Sequence, residues 1–307
     1  MSPLRLLPAA ALLLAAGASL ARGEEPKRFF QMSRREISAT LKTIHARNPT
    51  LQSRIEAVSS LFLGTPYRLG PLGEGPEGEF DRDPLISFEA VDCTTLVEQT
   101  MALSLAPTLE EALTLLQGIR YQYGRISYKT RNHFPEVDWL PNNVEAGYLK
   151  DITTEVAGAA TRRAAKRISK RDWYSQRTLE DIQGFKAFPA AEKEARLERL
   201  RKLGGEFPDR IASIPYLPME LLPQVLDKIP SGTIANLVRE DRPDKPVLVS
   251  HQVLIIAKDG SRRVRHASSR GRVEDVPALE YFHRYSNSPW PLLGLNLDQV
   301  NERRKRP

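Results

Sequence analysis

The sequence predicts an α+β domain in which helices come first and an antiparallel sheet follows. Three observations carry that expectation. Apolar residues at mostly helical spacing occupy 24–63, and a second helical stretch runs from Cys93 to about Leu105. From Ser231 the pattern changes, because Thr233–Val238 and Val247–Ala257 are β-branched or apolar runs. Lys258-Asp259-Gly260-Ser261 then supplies a hairpin turn of the Asp-Gly kind, with Arg262–Ala267 as the returning strand. At 41% hydrophobic and 27% charged over 307 residues, the composition is that of a globular chain rather than a disordered one.

Residues 1–21 read as an export signal. Arg5 is their single charge, the apolar run Leu6–Leu20 follows, and Ser19 and Ala21 stand at the spacing a signal peptidase reads. The run falls short of the roughly 20 residues a spanning helix needs, and Pro8 interrupts it, which argues against a membrane anchor. The expected product is an exported protein, periplasmic or secreted, with no stable membrane insertion after cleavage. Its residues 22–307 form a single domain with a basic helical insert at about 155–205.

Within that domain Ile44, Leu51, Ile55 and Val58 mark the first helical region, and the Gly/Pro-rich stretch 64–90 reads as loop. Asp92 caps the helix 93–105, and a further helix starts at Thr108-Leu109-Glu110. Segment 161–205 holds 13 Lys and Arg against 6 Asp and Glu, an excess equal to the +7 of the whole chain. It reads either as a solvated helical face or as a cationic surface that draws anionic envelope polymers. Nucleic acid is not an expected partner, because the basic helices lack interleaved aromatics.

The lone cysteine excludes an internal disulfide and any zinc site built on two or more cysteines. No Gly-rich phosphate loop and no His-x3-His pair is present, so neither nucleotide nor metal chemistry is indicated. In an oxidising compartment an unpaired thiol is either a buried inert residue or one retained for chemistry. Cys93 follows Asp92 at the start of a helix, where free N–H groups and the dipole favour thiolate and lower a cysteine pKa to roughly 3.5–7.5. The same N–H groups suit an oxyanion formed when the sulfur attacks a carbonyl.

A thiol nucleophile needs a base held in place by a third group. With Asp259-Gly260 as a two-residue turn, paired positions place Ser268 opposite His251 and Val253 opposite His266. Positions 251 and 253 share a face, so the two imidazoles project from one side as diagonal neighbours, within reach of each other. A slip of one residue would separate them.

These residues resemble the papain-like cell-wall hydrolases of the NlpC type, which carry Gly-x-Pro-Tyr, an Asp-Cys opening a helix, and a strand His followed by a second polar residue. Here these are Gly64-Thr65-Pro66-Tyr67, Asp92-Cys93, His251 and His266. More narrowly the chain is similar to the N-acetylmuramoyl-L-alanine amidase-like branch. That branch is marked here by Asp92-Cys93-Thr94-Thr95-Leu96-Val97-Glu98, by Arg131, His133, Phe134, Asp138, Trp139 and Asn143, and by His266-Ala267-Ser268-Ser269. The likeness spans most of 55–290 and departs at His251-Gln252-Val253-Leu254, where the branch has His-Val-Gly-Ile.

The resemblance implies a papain-like NlpC-type fold with the Cys-bearing helix packed on an antiparallel sheet and extra helical elaborations. It implies hydrolysis of the amide between N-acetylmuramic acid and L-alanine in peptidoglycan or muropeptide fragments, through a thioester. Cys93 is then the nucleophile, His251 the base and His266 its orienter. Tyr67 and Asp92 line the peptide side, and Arg131 and His133 meet the sugar or a carboxylate, without metal or organic cofactor. Open alternatives are γ-D-glutamyl–diamino acid cleavage on the same fold, a non-catalytic wall-binding module, and acyl transfer on the same Cys–His pair.

Overall fold

A computed structural model describes residues 26–302, so the leader expected at 1–21 lies outside the described residues. Helix α1 (Arg34–Arg47) starts at a capping box in which Ser33 Oγ accepts from Glu36 N and Glu36 accepts from Ser33 N. It ends at Asn48-Pro49, and Thr50 caps α2 (Leu51–Ser60). The stretch expected to be helical thus holds two helices between Arg34 and Ser60. Helices α3 (Cys93–Leu105) and α4 (Leu109–Arg120) begin where Asp92 and Thr108 predict, each cap accepting a backbone N–H at its third helical position. No helix among the described residues is long and apolar enough to cross a membrane.

Among the described residues eight strands form one antiparallel sheet. They are β1 (Leu149–Asp151), β2 (Arg162–Ile168), β3 (Arg210–Pro218), β4 (Thr233–Arg239), β5 (Val249–Lys258), β6 (Ser261–Ala267), β7 (Val273–Pro277) and β8 (Leu292–Val300). Their order is β2-β3-β8-β4-β5-β6-β7, with β1 paired to β8. The mixed α+β class therefore holds. The β5–β6 register runs from Leu254↔Arg265 to Lys258↔Ser261, as a two-residue turn requires. Asp259 (φ 50°) and Gly260 (φ 74°) both take positive φ, the signature of a type I′ turn.

The basic insert departs from expectation. It is not an all-helical elaboration, since its first part is β2, which pairs with β3 along its full length at the sheet's end. Burial alternates along Arg162–Ile168 with Ala164, Lys166 and Ile168 inward. That period of two is hidden in the sequence because one of the inward residues is a lysine. Folding also meets much of the local charge. Arg162 pairs with Glu220, Lys166 with Asp241, Arg167 with Asp209, Lys170 with Asp138 and Arg199 with Glu79, all acids outside the segment. What remains is a far less cationic face than the composition suggests.

Helix α3 lies between α1, α2 and α4 and one face of the sheet. Val97 and Met101 pack with Leu254 and Ile256 of β5, while Leu96 and Leu103 pack with Val58, Phe62, Ala267 and Val273. The opposite face carries Val253, Ile255, Val264 and Tyr281. Val249 lies in the α3-side cluster although it is an even number of residues from Val253, so the alternation breaks between them. The β4–β5 pairing shows why. Its register shifts between Asn236↔Gln252 and Val238↔Val249, which leaves one extra residue on β5 beside His251. Such bulges re-aim a side chain next to a site. The start of β5 is pinned by Glu136, whose Oε1 accepts from both Leu248 N and Val249 N.

Candidate active site

Cys93 is the first residue of α3 and is partly exposed. Asp92 N-caps the helix: its Oδ1 accepts from Thr95 N (2.8 Å) and Thr95 Oγ1 (2.8 Å), and its Oδ2 accepts from Gly70 N (2.9 Å). The expected lowering of the thiol pKa does not hold. Surrounding protein and the adjacent Asp92 carboxylate push the thiol up to about 11, against weaker help from the backbone N–H groups of Gln252 and Thr94. The physical reason is first desolvation of the sulfur by the protein around it, and second the Asp92 carboxylate, which repels a thiolate beside it. Asp92→Asn removes that charge and keeps an N-cap through its one amide oxygen, at the cost of the Gly70 N bond. The expected result is a lower thiol pKa and faster alkylation at pH 7, measured as iodoacetamide labelling rate against pH.

The histidines meet as the hairpin register predicts. His251 Nε2 lies 3.2 Å from His266 Nδ1, with the rings nearly perpendicular at 87°. His266 is buried and lies edge-on to Tyr281 at 4.7 Å between centroids, whereas His251 is partly exposed. Burial, His266 and Arg239 push His251 down to about 3, and burial lowers His266 as well. Both rings are therefore neutral near pH 7. Glu274, directly opposite His266 in the β6–β7 ladder, brings Oε1 to 3.4 Å from His266 Nε2, at ion-pair range but off hydrogen-bond geometry. A carboxylate only accepts, so it favours the proton on His266 Nε2 and leaves Nδ1 to accept from His251 Nε2–H. His251 Nδ1 is then the bare nitrogen. The backbone N–H next to this ring, that of Gln252, is one of the two that meet the Cys93 sulfur.

Tyr67 stands beside the thiol. Burial together with Cys93 and Asp92 pushes its hydroxyl up to about 12. Its backbone N donates to Gly271 O (2.7 Å), and Gly64 N and Val273 N bond Val273 O and Thr65 O. The Gly64–Tyr67 stretch is thereby stitched to the loop joining β6 and β7.

The remaining motif residues divide into wall and support. His133 Nε2 donates to Tyr128 O (3.0 Å), with the Tyr128 and Trp173 rings 4.4 and 5.0 Å from its own. Burial and Arg131 hold it well below the usual imidazole range, so its Nδ1 is an acceptor. Arg131 lines the same cavity as His133: its Nη1 donates to Asp81 (2.8 Å), while Nε and Nη2 are buried without partners. Glu98 of the Asp-Cys motif forms a buried ion pair with Arg120 and accepts from Trp139 Nε1 (3.0 Å). Asp138 pairs with Lys170 (2.5 Å), and Asn143 Nδ2 donates to Ile119 O and Trp139 O. Asp138, Trp139 and Asn143 thus brace the site.

Two cavities flank this centre. One, of about 380 Å³, is lined by Asp92, Thr94, His133, Trp173 and Arg177, so the basic insert forms one of its walls. The other, of about 760 Å³, opens onto His251, His266 and Glu274. Sequence reasoning missed Glu274 and Trp173. The turn-forming Ser268-Ser269-Arg270-Gly271 would have pointed to a second hairpin and so to Glu274, whereas nothing local marks Trp173.

The chain matches the family model described as AmiA-like, N-acetylmuramoyl-L-alanine amidase-like, over residues 57–287. Among solved structures it is similar to a protein of Legionella pneumophila assigned to the DUF1460 family model, with 30% identity and a TM-score of 0.78, covering 87% of this chain and 95% of that one. In fold it is also similar to an N-acetylmuramoyl-L-alanine amidase from Bacteroides uniformis, with 24% identity and a TM-score of 0.62 over 82% of this chain and 99% of that one. No curated protein matches the chain. With three-quarters of its length matched and the motif residues gathered around Cys93, this chain belongs to the N-acetylmuramoyl-L-alanine amidase-like family.

Proposed function

We propose that the protein is an exported cysteine amidase of the NlpC, papain-like type that hydrolyses the N-acetylmuramoyl-L-alanine amide of peptidoglycan or its fragments. The observation that carries this reading is the His251–His266 hydrogen bond, which frees one imidazole nitrogen on the strand beside Cys93. Family membership supports the substrate class.

In the reaction Cys93 Sγ attacks the lactyl carbonyl carbon while His251 Nδ1 takes the thiol proton. Because the thiol is raised and the imidazole lowered, the proton moves as the S–C bond forms rather than beforehand. The N-terminal N–H groups of α3 stabilise the oxyanion. Collapse breaks the C–N bond, and His251-H⁺ protonates the departing alanine nitrogen, which leaves a thioester. Water, deprotonated by the same ring, then releases the muramic acid carboxylate and restores the thiol. His266 and Glu274 hold the tautomer throughout. Tyr67 and Asp92 border the carbonyl, His133 accepts from a sugar hydroxyl or amide N–H, and Arg131, which lines the same cavity, meets the sugar or a carboxylate.

Incubating residues 22–307 with MurNAc-L-Ala-γ-D-Glu-diamino acid tests the bond assignment by product mass. Free MurNAc with intact tripeptide is the expected result. MurNAc-L-Ala-D-Glu with free diamino acid would assign the γ-glutamyl bond instead, and no cleavage would favour a binding module.

A further inference from the structure

The larger cavity is cationic in a way the chemistry above does not use. Besides the histidine pair it is lined by Arg239, Arg270, Arg272 and Arg284, with Glu274 as the one carboxylate. Among the described residues no acid pairs with Arg239, Arg270 or Arg272. Arg239 is buried against Ser250 Oγ (2.7 Å) and Trp290 O (2.7 Å), both neutral. Arg270 and Arg272 are exposed on the β6–β7 loop, which Ser268 N→Arg272 O (3.0 Å) and Gly271 N→Ser268 O (2.9 Å) hold in shape. Arg284 pairs with Glu280 at the surface. An arginine wall left uncompensated by the protein's own acids suits an anionic ligand.

We propose that Arg270 and Arg272, backed by Arg239 and Arg284, form a carboxylate subsite that orients the peptide half of the substrate. This inference rests on the amidase reading. Two arguments converge on it. The ring that protonates the leaving nitrogen opens into this cavity, so the departing peptide emerges here. In addition, amide formation consumes the lactyl carboxyl, so the N-acetylmuramoyl half is neutral and the negative charge lies on the stem peptide. The sugar then takes the aromatic cleft of His133 and Trp173, so Asp92, which lines that cleft, borders the sugar side rather than the peptide side. The subsite reads the carboxylates of the second residue and favours free D-glutamate over its amides.

Three substrates test this: MurNAc-L-Ala-D-Glu, its α-amide and its diamide, with kcat/KM from released peptide. Wild type should favour the dicarboxylate over the diamide by at least ~5-fold, as charge-assisted contacts to arginine warrant, and the preference should shrink in high salt. In Arg270→Ala/Arg272→Ala the ratio should fall toward one, while Arg270→Lys/Arg272→Lys retains part of it. Equal wild-type release from all three, or a ratio unmoved in the alanine variant, overturns the subsite and leaves the amidase standing. No wild-type release from any of the three, nor from the diamino-acid-bearing substrate above, overturns both.

Discussion

Replacing Cys93 with alanine lowers peptide release by at least ~10³-fold, the usual cost of deleting a nucleophile, while the fold persists. Persistence is expected because the start of α3 is held by Asp92 and Thr95, not by the thiol. The measurement is release from muropeptide beside circular dichroism. Activity retained in a folded Cys93→Ala variant would eliminate covalent catalysis here. The same residue gives a pH signature. With the thiol pushed up to about 11, only about 10⁻⁴ is thiolate at pH 7. Alkylation of the free enzyme therefore climbs close to tenfold per pH unit from 7 to 10. A plateau already reached below pH 7 would show instead a preformed thiolate–imidazolium pair.

His251→Ala is expected to cost ~10²–10⁴-fold in kcat/KM through loss of the base. His266→Asn costs less, because asparagine still accepts from His251 Nε2–H. The distinguishing readout is the acid limb. His251 is lowered to about 3, so its basic form persists well into acid and activity should hold at pH 5, below the range of a free imidazole. His266 is one of the causes of that lowering, so His266→Asn moves the acid limb upward. Glu274→Gln, which no longer fixes the His266 proton by charge, should reduce kcat. An acid limb at the same pH in wild type and His266→Asn would separate the two rings functionally.

The elements that sequence could specify share one property: their determinants are local. A cap residue, a capping partner three positions on and an Asp-Gly turn act within a few residues, so α3, α4 and the β5–β6 register are legible without the fold. The histidine pairing is legible for the same reason, because a two-residue turn leaves one register. The basic insert is not. Its partners lie in Glu79, Asp138, Asp209, Glu220 and Asp241, and its strand hides a lysine among the inward positions.

The thiol marks the boundary most sharply. Position at a helix start is written in the chain and argues for an ionised sulfur. Its protonation is set by how much protein surrounds it and by where the Asp92 carboxylate sits, and both push the other way. By itself, then, the sequence determined the place of Cys93 at a helix start, the pairing of the two histidines and the family. Tertiary structure decided the bulge that aims His251, the Glu274 carboxylate behind His266, the insert's wall and the arginine-lined cavity. Those depend on groups far apart in the chain, whose desolvation and Coulomb interactions exist only once the sheet has brought them together.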